Sequence, residues 1–474
     1  MRTYRTVLKS RLKRLLAAFV AAGVVLYSPA KLSSSACADS ASLESAKYVI
    51  LMIGDGMGGW HVDAARKYSH QNLAMESLAY HGYMTTYMLN STTTGTFMGE
   101  FWDDASQSGY YDPKLAGLTP WDRGPSPAWL QKEYTDSAAA ASAMVSGLKG
   151  VRAALNVIVR EDGYPGDRPF TVQYCPTIVD IVTAQGKSTG VVTSVQFQHA
   201  TAAATVVKTQ YRRNQGEKAR QMIQSPLDVI MGGGHPYYDR NGQLKNNPDY
   251  TWWRRNNSTY LADEDGEALY TDVYRGYLGR RFIQSKTDFE DLADGDSLFN
   301  GETIPQRVFG LAPVAQTLQF ERKVDDGNPN DDWQVGGQAY NADVPDLKTM
   351  ARGALKVLGQ NPSGFWLMIE GGAIDWASHA NNMTRMLEEM LAFDAAVQTV
   401  IDWIENPENN SSWENTLLIV TSDHECGHLQ PVGNVSDDDV IKNQCWGIDC
   451  IGWRHHTNSL VPIYAQGPGA EYLK

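Results

Sequence analysis

The stretch at Phe365–His379 reads FWLMIEGGAIDWASH. Its first five residues form a continuous apolar run, the pattern of a strand that is buried on both faces of a parallel sheet. Glu370 follows directly, and Asp375 and His379 are four positions apart, so they share one face of a helical turn. The stretch therefore predicts a buried strand whose carboxyl end carries acidic and imidazole side chains.

Further apolar runs have the same character, and we predict that they too are buried parallel strands: Tyr48–Ile53, Gly190–Thr193, Asp228–Met231, Leu417–Thr421 and Val461–Ala465. Helical patterns occur at Ala138–Leu148 and Thr384–Ile404. The second is apolar on one face at three- and four-residue spacing, at Met386, Met390, Phe393, Val397, Val400 and Ile404. This alternation predicts an α/β fold, a three-layer sandwich with a central, mostly parallel sheet flanked by helices.

The stretch 241–343 differs in composition, because it is rich in Asp, Trp, Tyr, Asn and Gly and has few long apolar runs. We interpret it as an accessory insertion that covers one edge of the core. The remainder of 39–474 is then a single catalytic domain.

The first 38 residues have the pattern of a signal peptide. Six basic residues between Arg2 and Arg14 precede an apolar run at Leu15–Leu26, and Ala36-Cys37-Ala38 supplies small residues for cleavage. The apolar run is short for a bilayer span, although a retained membrane anchor is the alternative. We expect an exported protein, periplasmic or extracellular, with no stable membrane span in its mature form.

The chain is acidic, with 41 Lys and Arg residues against 54 Asp and Glu residues and a formal net charge of −13. This balance argues against nucleic-acid backbones as partners. Cys445 and Cys450 are close enough in sequence for a local disulfide, which an exported location permits. Cys175 and Cys426 have no obvious partner.

Residues that bind metals in proteins follow or precede several of the predicted strands. In an open parallel sheet, ligands bind beyond the carboxyl ends of the strands. Besides Glu370, Asp375 and His379, the residues at these places are Asp55, Thr201, Asp423, His424 and His456. Carboxylate with imidazole suits zinc, whereas carboxylate and hydroxyl oxygens suit magnesium.

A candidate nucleophile lies in Thr135–Gly147, which reads TDSAAAASAMVSG. A helix that begins at Asp136 or Ser137 carries the Ser137 hydroxyl on its first turn, where unpaired N–H groups favour an anion. The hydroxyl would need a base or a metal to lose its proton. The alternative is an N-cap serine on an alanine-rich core helix.

Taken together, these motifs resemble the alkaline phosphatase family from about Tyr48 to Ala470. The matching motifs, in chain order, are Gly54-Asp55-Gly56-Met57-Gly58, Thr135-Asp136-Ser137-Ala138-Ala139, His199-Ala200-Thr201, Glu370 to His379, Thr421 to Glu425, and His456-Thr457 with Gly467 to Ala470. Their order and spacing make the resemblance specific.

The resemblance implies two zinc ions and one magnesium ion. The implied ligands are Asp375, His379 and His456 for the first zinc, Asp55, Asp423 and His424 for the second, and Asp55, Thr201 and Glu370 for magnesium. Ser137 matches the nucleophile. Arg212 matches the arginine that holds the phosphate, with Arg213 as its rival.

The implied activity is hydrolysis of small-molecule phosphate monoesters through a phosphoserine intermediate. Whether the protein forms a homodimer is left open by the sequence. The alternatives are a phosphodiesterase or sulfatase of the same superfamily and a non-catalytic metal- or phosphate-binding protein. His199 stands where some members have aspartate, and it is either near an altered metal site or an ordinary hydrogen-bonded histidine. A thiolate ligand at Cys426 is one alternative, but the family pattern does not use this position, which favours packing or a disulfide.

Overall fold

The structure is a computed structural model, and it describes residues 46–88, 127–131, 134–161, 170–254, 264–295, 298–299, 301–323, 340–432, 444–447 and 450–473. The predicted signal peptide, 1–38, lies outside these residues. Among the residues described, no helix combines the length and the apolar character that a membrane crossing requires.

Nine strands form the central sheet. In chain order they are β1 (Tyr48–Gly54), β2 (Tyr80–Met84), β5 (Ser188–Gln196), β6 (Val229–Gly233), β7 (Arg281–Ile283), β10 (Val308–Leu311), β11 (Phe365–Gly371), β12 (Thr416–Thr421) and β17 (Val461–Gln466). Their spatial order is β2-β17-β12-β1-β11-β5-β6-β10-β7. The apolar run Phe365–Ile369 lies in β11, which pairs in parallel with β1 on one side and β5 on the other.

Among the described residues, short strands form four pairs outside this sheet. They are β3 (Val157–Glu161) with β4 (Phe170–Tyr174), β8 (Leu298–Phe299) with β9 (Glu302–Thr303), β13 (Glu425–Cys426) with β16 (His456–Thr457), and β14 (Leu429–Pro431) with β15 (Gln444–Trp446). The predicted disulfide between Cys445 and Cys450 is present, at the end of β15. Cys175 and Cys426 are buried free cysteines.

One predicted strand runs in the direction opposite to the prediction. Val461–Ala465 falls within β17, which is antiparallel to both β12 and β2, whereas the sequence predicts a parallel strand. The prediction failed because a continuous apolar run indicates that both faces of a strand are buried, as they are here, but it contains no information about direction. The other five predicted strands form parallel pairs.

The described α-helices are α1 (Gly59–Ser69), α2 (Pro127–Leu130), α3 (Ser137–Ser146), α4 (Ile178–Ala184), α5 (Ala200–Ala204), α6 (Gln215–Gln224), α7 (Glu264–Tyr274), α8 (Lys286–Asp294), α9 (Leu347–Leu358), α10 (Ala373–His379) and α11 (Met383–Glu405). The apolar face predicted for α11 is buried throughout. Two large apolar clusters lie on opposite faces of the sheet, and β1 contributes Ile50 and Met52 to one and Ile53 to the other. This arrangement confirms the predicted three-layer α/β fold.

The stretch 241–343 contributes strands to the main sheet. β10 continues the sheet beyond β6, and β7 forms its edge, both in parallel register. The interpretation of this stretch as an accessory insertion stays a prediction.

Candidate active site

Ser137 is the first residue of α3, and the N-cap is its neighbour Asp136. The Asp136 carboxylate accepts hydrogen bonds from the N–H groups of Ala139 (3.2 Å) and Ala153 (3.1 Å). The cap is therefore supplied by Asp136, and the alternative of an N-cap serine is wrong. The buried Ser137 hydroxyl instead lies 3.3 Å from Nε2 of His424.

Small side chains allow α3 to pack closely behind this hydroxyl. Ala138 and Ala141 are buried in the same apolar cluster as Ile53 of β1 and the alanines of α5. A bulkier residue at either alanine would push the helix outward, because interiors are close-packed. The alanine run thus fixes the height of Ser137 above the sheet.

Asp375, His379 and His456 come together as the sequence predicts. His379 Nε2 lies 3.3 Å from Asp375 Oδ2, His456 Nε2 lies 3.4 Å from Asp375 Oδ1, and the two Nε2 atoms are 3.1 Å apart. Backbone carbonyls accept hydrogen bonds from the opposite ring nitrogens, that of Arg454 from His379 Nδ1 (2.6 Å) and that of Thr135 from His456 Nδ1 (2.7 Å). Both rings therefore direct Nε2 to one shared place, where imidazole nitrogens could bind a cation.

Asp55, Asp423 and His424 form a second group, and the Ser137 hydroxyl lies next to it through its contact with His424. His424 Nε2 lies 3.2 Å from Asp423 Oδ2 and 3.5 Å from Asp55 Oδ1, and all three side chains are fully buried. Asp423 Oδ1 accepts from the N–H of Gly56 at 3.2 Å, which fixes the orientation of the carboxylate. Burial and the neighbouring carboxylates raise the pKa of Asp55 well above its usual value and that of Asp423 to about 8.

Gly56 allows the group that contains Asp423 to lie close to the group that contains Asp375. Its φ is +78°, and a Cβ at this position would lie 2.9 Å from the Cα of Asp375. Only glycine combines this left-handed backbone with so close an approach. The loop after β1 can therefore lie directly against α10.

The third group surrounds Glu370 at the end of β11. Thr201 donates a hydrogen bond from its hydroxyl to Asp55 Oδ2 at 3.2 Å, so Asp55 connects the second group with the third. His199, Asp55 and Glu370 offer ligand atoms within 4.8 Å of one another. His199 Nδ1 has no hydrogen-bond partner among the described residues, which favours a place near a metal over an ordinary hydrogen-bonded histidine.

Unpaired polar atoms provide the test of whether these groups fit cations. Fully buried polar atoms almost always have a hydrogen-bond partner. Within the described part of the chain, several ligand atoms of the three groups have none: Asp55 Oδ1, both carboxylate oxygens of Glu370, Asp375 Oδ1 and Asp423 Oδ2. Burial also raises the pKa of Glu370 to about 7. So many buried acceptors at one place fit divalent cations, which satisfy carboxylate and imidazole ligands together.

Arg212 contacts Asp136, the neighbour of the candidate nucleophile Ser137. Its Nη1 forms an ion pair with Asp136 Oδ2 at 2.8 Å, and its backbone N–H donates to the carbonyl of Ala153 at 2.8 Å. The neighbouring Arg213 is exposed. This placement favours Arg212 over Arg213 as the anion-binding arginine.

Two buried side chains of this region have no signal in the sequence. His61 of α1 contacts Ser378 Oγ through Nε2 at 3.0 Å, and that hydroxyl donates to the carbonyl of Ile374 at 2.8 Å, which braces α10. Burial lowers the pKa of His61 to about 3, so the ring is neutral. Lys218 of α6 is also buried, within electrostatic range of Arg212 and Glu370, and burial holds its pKa well below the usual value. Both occur in ordinary polar stretches, where only three-dimensional placement distinguishes them.

Comparison of the sequence with known proteins identifies a matching family model and several similar proteins. The family model described as alkaline phosphatase matches residues 128–474. The alkaline phosphatase of Escherichia coli strain K12 is 26% identical over 92% of this chain and 84% of its own length. The streptomycin-6-phosphate phosphatase of Streptomyces griseus is 27% identical over 90% of this chain and 87% of its own.

A solved structure shows the same fold. The alkaline phosphatase from the Antarctic bacterium TAB5 superposes with a TM-score of 0.57 at 22% identity. The match covers 91% of this chain and 93% of that one. The central sheet and its flanking helices are therefore common to both proteins.

Proposed function

The chain belongs to the alkaline phosphatase family and is a phosphomonoester hydrolase, and we propose that it works with two zinc ions and one magnesium ion through a phosphoserine at Ser137. The observation that carries the proposal is the set of buried, unpaired ligand atoms around the Ser137 hydroxyl. So many unpaired buried acceptors at one place support bound cations, because burying a polar group without a partner is costly.

We assign the ligands as the sequence predicts. Asp375, His379 and His456 would hold the first zinc, Asp55, Asp423 and His424 the second, and Asp55, Thr201 and Glu370 the magnesium. His199 adjoins the magnesium group. Bound divalent cations would supply the positive charge that lowers the pKa of a coordinated oxygen and stabilises a phosphoryl group during in-line displacement.

The residues of the chain provide the positioning. Ser137 attacks phosphorus from the first turn of α3, where the dipole of the helix favours the negative charge that develops on its oxygen. Asp136 keeps the helix start and Arg212 in fixed relative positions through its hydrogen bonds and ion pair. The planar guanidinium of Arg212 presents two N–H groups to two phosphoryl oxygens, a geometry that lysine lacks.

The substrates that we propose are small phosphate monoesters with varied alcohol groups. The basic and apolar pattern of residues 1–38 supports export of the protein, although these residues lie outside the described structure. The acidic composition disfavours nucleic-acid backbones as partners.

Replacement of the nucleophile tests the proposal. The purified protein should hydrolyse an aryl phosphate monoester at alkaline pH, lose activity to a chelator and regain it with zinc plus magnesium. Ser137→Ala should lower kcat by several orders of magnitude, because loss of a nucleophile removes the covalent route. Ser146→Ala is the matched control, since Ser146 lies at the far end of the same helix and donates to the carbonyl of Ser142. Full activity of Ser137→Ala, or a preference for an aryl phosphate diester, would contradict the proposal.

A further inference from the structure

Cys426 lies opposite His456 in a small antiparallel pair. β13 follows Asp423 and His424 directly, and its Cys426 is the register partner of His456 in β16. Directly opposed residues of an antiparallel pair project their side chains to the same face. The Cys426 N–H also donates to the carbonyl of Gly56 at 3.0 Å. The backbone of Cys426 is therefore also held by the loop that follows β1.

The thiol of Cys426 is part of the group formed by Asp375, His379 and His456. One ligand atom from each of the four residues lies within 4.8 Å of the others. The thiol is fully buried, and its hydrogen bond is a long one of 3.8 Å to the carbonyl of Asp375. Asp375 Oδ1, in the same group, has no hydrogen-bond partner in the described structure.

Cys426 is not used in a disulfide. Cys445 and Cys450 pair with each other, and Cys426 is free and buried. A free, buried cysteine by itself is usually a small apolar side chain. Here it points the same way as a predicted zinc ligand and shares that ligand's neighbours, which distinguishes it from core packing.

We propose that Cys426 is a fourth, sulfur ligand of the cation that Asp375, His379 and His456 bind. This inference rests on the metal site of the proposed function. On binding, the S–H bond breaks, the proton leaves to solvent, and the sulfur lone pair forms the bond to the cation. Thiolate is a soft ligand that zinc, cobalt and cadmium accept and magnesium avoids.

A sulfur ligand has a consequence for the coordination of this site. Asp, His and His leave the fourth position of a tetrahedral ion open to substrate, as catalytic zinc sites do. With Cys426 the site would have four protein ligands, and a substrate oxygen would have to enter as a fifth. The sulfur ligand would disfavour hard cations such as magnesium.

The competing role is that of a positioning residue. In that case the thiol stays protonated and only supports α10 through the carbonyl of Asp375. Loss of such support also weakens metal binding, by roughly 10- to 100-fold for residues that orient ligands. Metal affinity alone therefore does not separate the two roles, whereas a bond between sulfur and metal does.

X-ray absorption spectroscopy of the zinc-loaded protein tests the bond directly. We expect a sulfur neighbour at about 2.3 Å, with about one sulfur for two bound zinc ions. The cobalt-substituted protein should show a thiolate-to-cobalt charge-transfer band in the near ultraviolet. Both signals should disappear in Cys426→Ser and persist in Cys175→Ser, the matched control at the other buried free cysteine.

The absorption spectrum of the native protein is sufficient to overturn the inference. The test therefore does not depend on whether Cys426→Ser folds. Bound zinc with only nitrogen and oxygen neighbours, in protein that hydrolyses the aryl phosphate, overturns the role of Cys426 and leaves the proposed function intact. Failure to bind zinc at all overturns both.

Discussion

Asp55 is the residue on which the site depends most, because its two carboxylate oxygens face different groups. Oδ1 faces His424, and Oδ2 accepts from the hydroxyl of Thr201. Glu370, by contrast, belongs to the third group only. The two carboxylates are both fully buried, but their removal should have different effects on metal content.

Glu370→Gln should separate magnesium from zinc. The substitution removes one negative charge from the third group and leaves the ligands of both proposed zinc ions in place. We expect stimulation of the hydrolase by added magnesium to fall at least about tenfold, while zinc measured by elemental analysis stays at the native level. The control is Glu414→Gln, at an exposed carboxylate. An unchanged response to magnesium would remove Glu370 from the magnesium site.

The placement of several residues could be predicted from the sequence, and the reason is local. Ser137, Asp375 and His379 occur in helical patterns whose geometry fixes where a side chain lies along the turn. Cys426, His61 and Lys218 have no such pattern. Their positions depend on register partners and buried surroundings that come from distant parts of the chain.

At the scale of elements, α11 shows how one helix accommodates a buried acid. Its Glu388 pairs with Arg322 at 2.7 Å and with Arg385 at 2.8 Å. The adjacent Glu389 is buried, and burial raises its pKa to about 8. The folded protein therefore holds the Glu389 proton more tightly than the unfolded chain does.

Glu389→Gln should change the pH dependence of stability. Between pH about 4.5 and 8 the unfolded chain loses this proton first, so the contribution of Glu389 to stability falls as pH rises. Gln carries no such penalty. We expect the Tm of Glu389→Gln to exceed that of the parent by several degrees at pH 9 and by little or nothing at pH 5, measured by calorimetry at fixed metal concentration. Glu408→Gln, at an exposed position after α11, should show no pH-dependent difference.

A Tm difference that is the same at pH 5 and pH 9 would contradict this origin. The shift would then come from packing or helix propensity, which do not depend on the proton.

At the scale of elements, the sequence predicts the long buried strands but neither the direction of a strand nor the short strands. The runs of β1, β5, β11 and β12 are apolar because both faces are buried, and this is visible in the sequence. β2, β7 and β10 are short or mixed in character, so they have no comparable signal. The apolar run of β17 resembles the runs of the parallel strands because both of its faces are also buried.

On the scale of the whole molecule, the three ligand groups join elements that are distant in sequence. β1, β5, β11, β12, α10 and β16 each contribute or adjoin a ligand. Divalent cations at these places would act as crosslinks that relieve the repulsion among buried carboxylates. The metal-loaded protein should accordingly be more stable than the metal-free protein.

Metal removal tests this directly. A cation that binds only the folded state and is present at 100 times its Kd stabilises by about 2.7 kcal/mol. We expect the Tm to fall by several degrees after exhaustive treatment with a chelator and to recover with zinc plus magnesium. The same chelator already saturated with calcium is the control. An unchanged Tm in protein shown to be metal-free would contradict a crosslinking role.

The position of β1 in the middle of the sheet has a consequence for the order of folding. Its Tyr48 pairs with Phe365 on one side and Thr416 on the other, so β1 is synthesised early and both of its neighbours late. Folding slows when native pairs are far apart along the chain, because loop closure precedes any gain from pairing. In the growing polypeptide, β1 therefore stays without either of its sheet partners until at least Phe365 has been synthesised, which is more than three quarters of the chain.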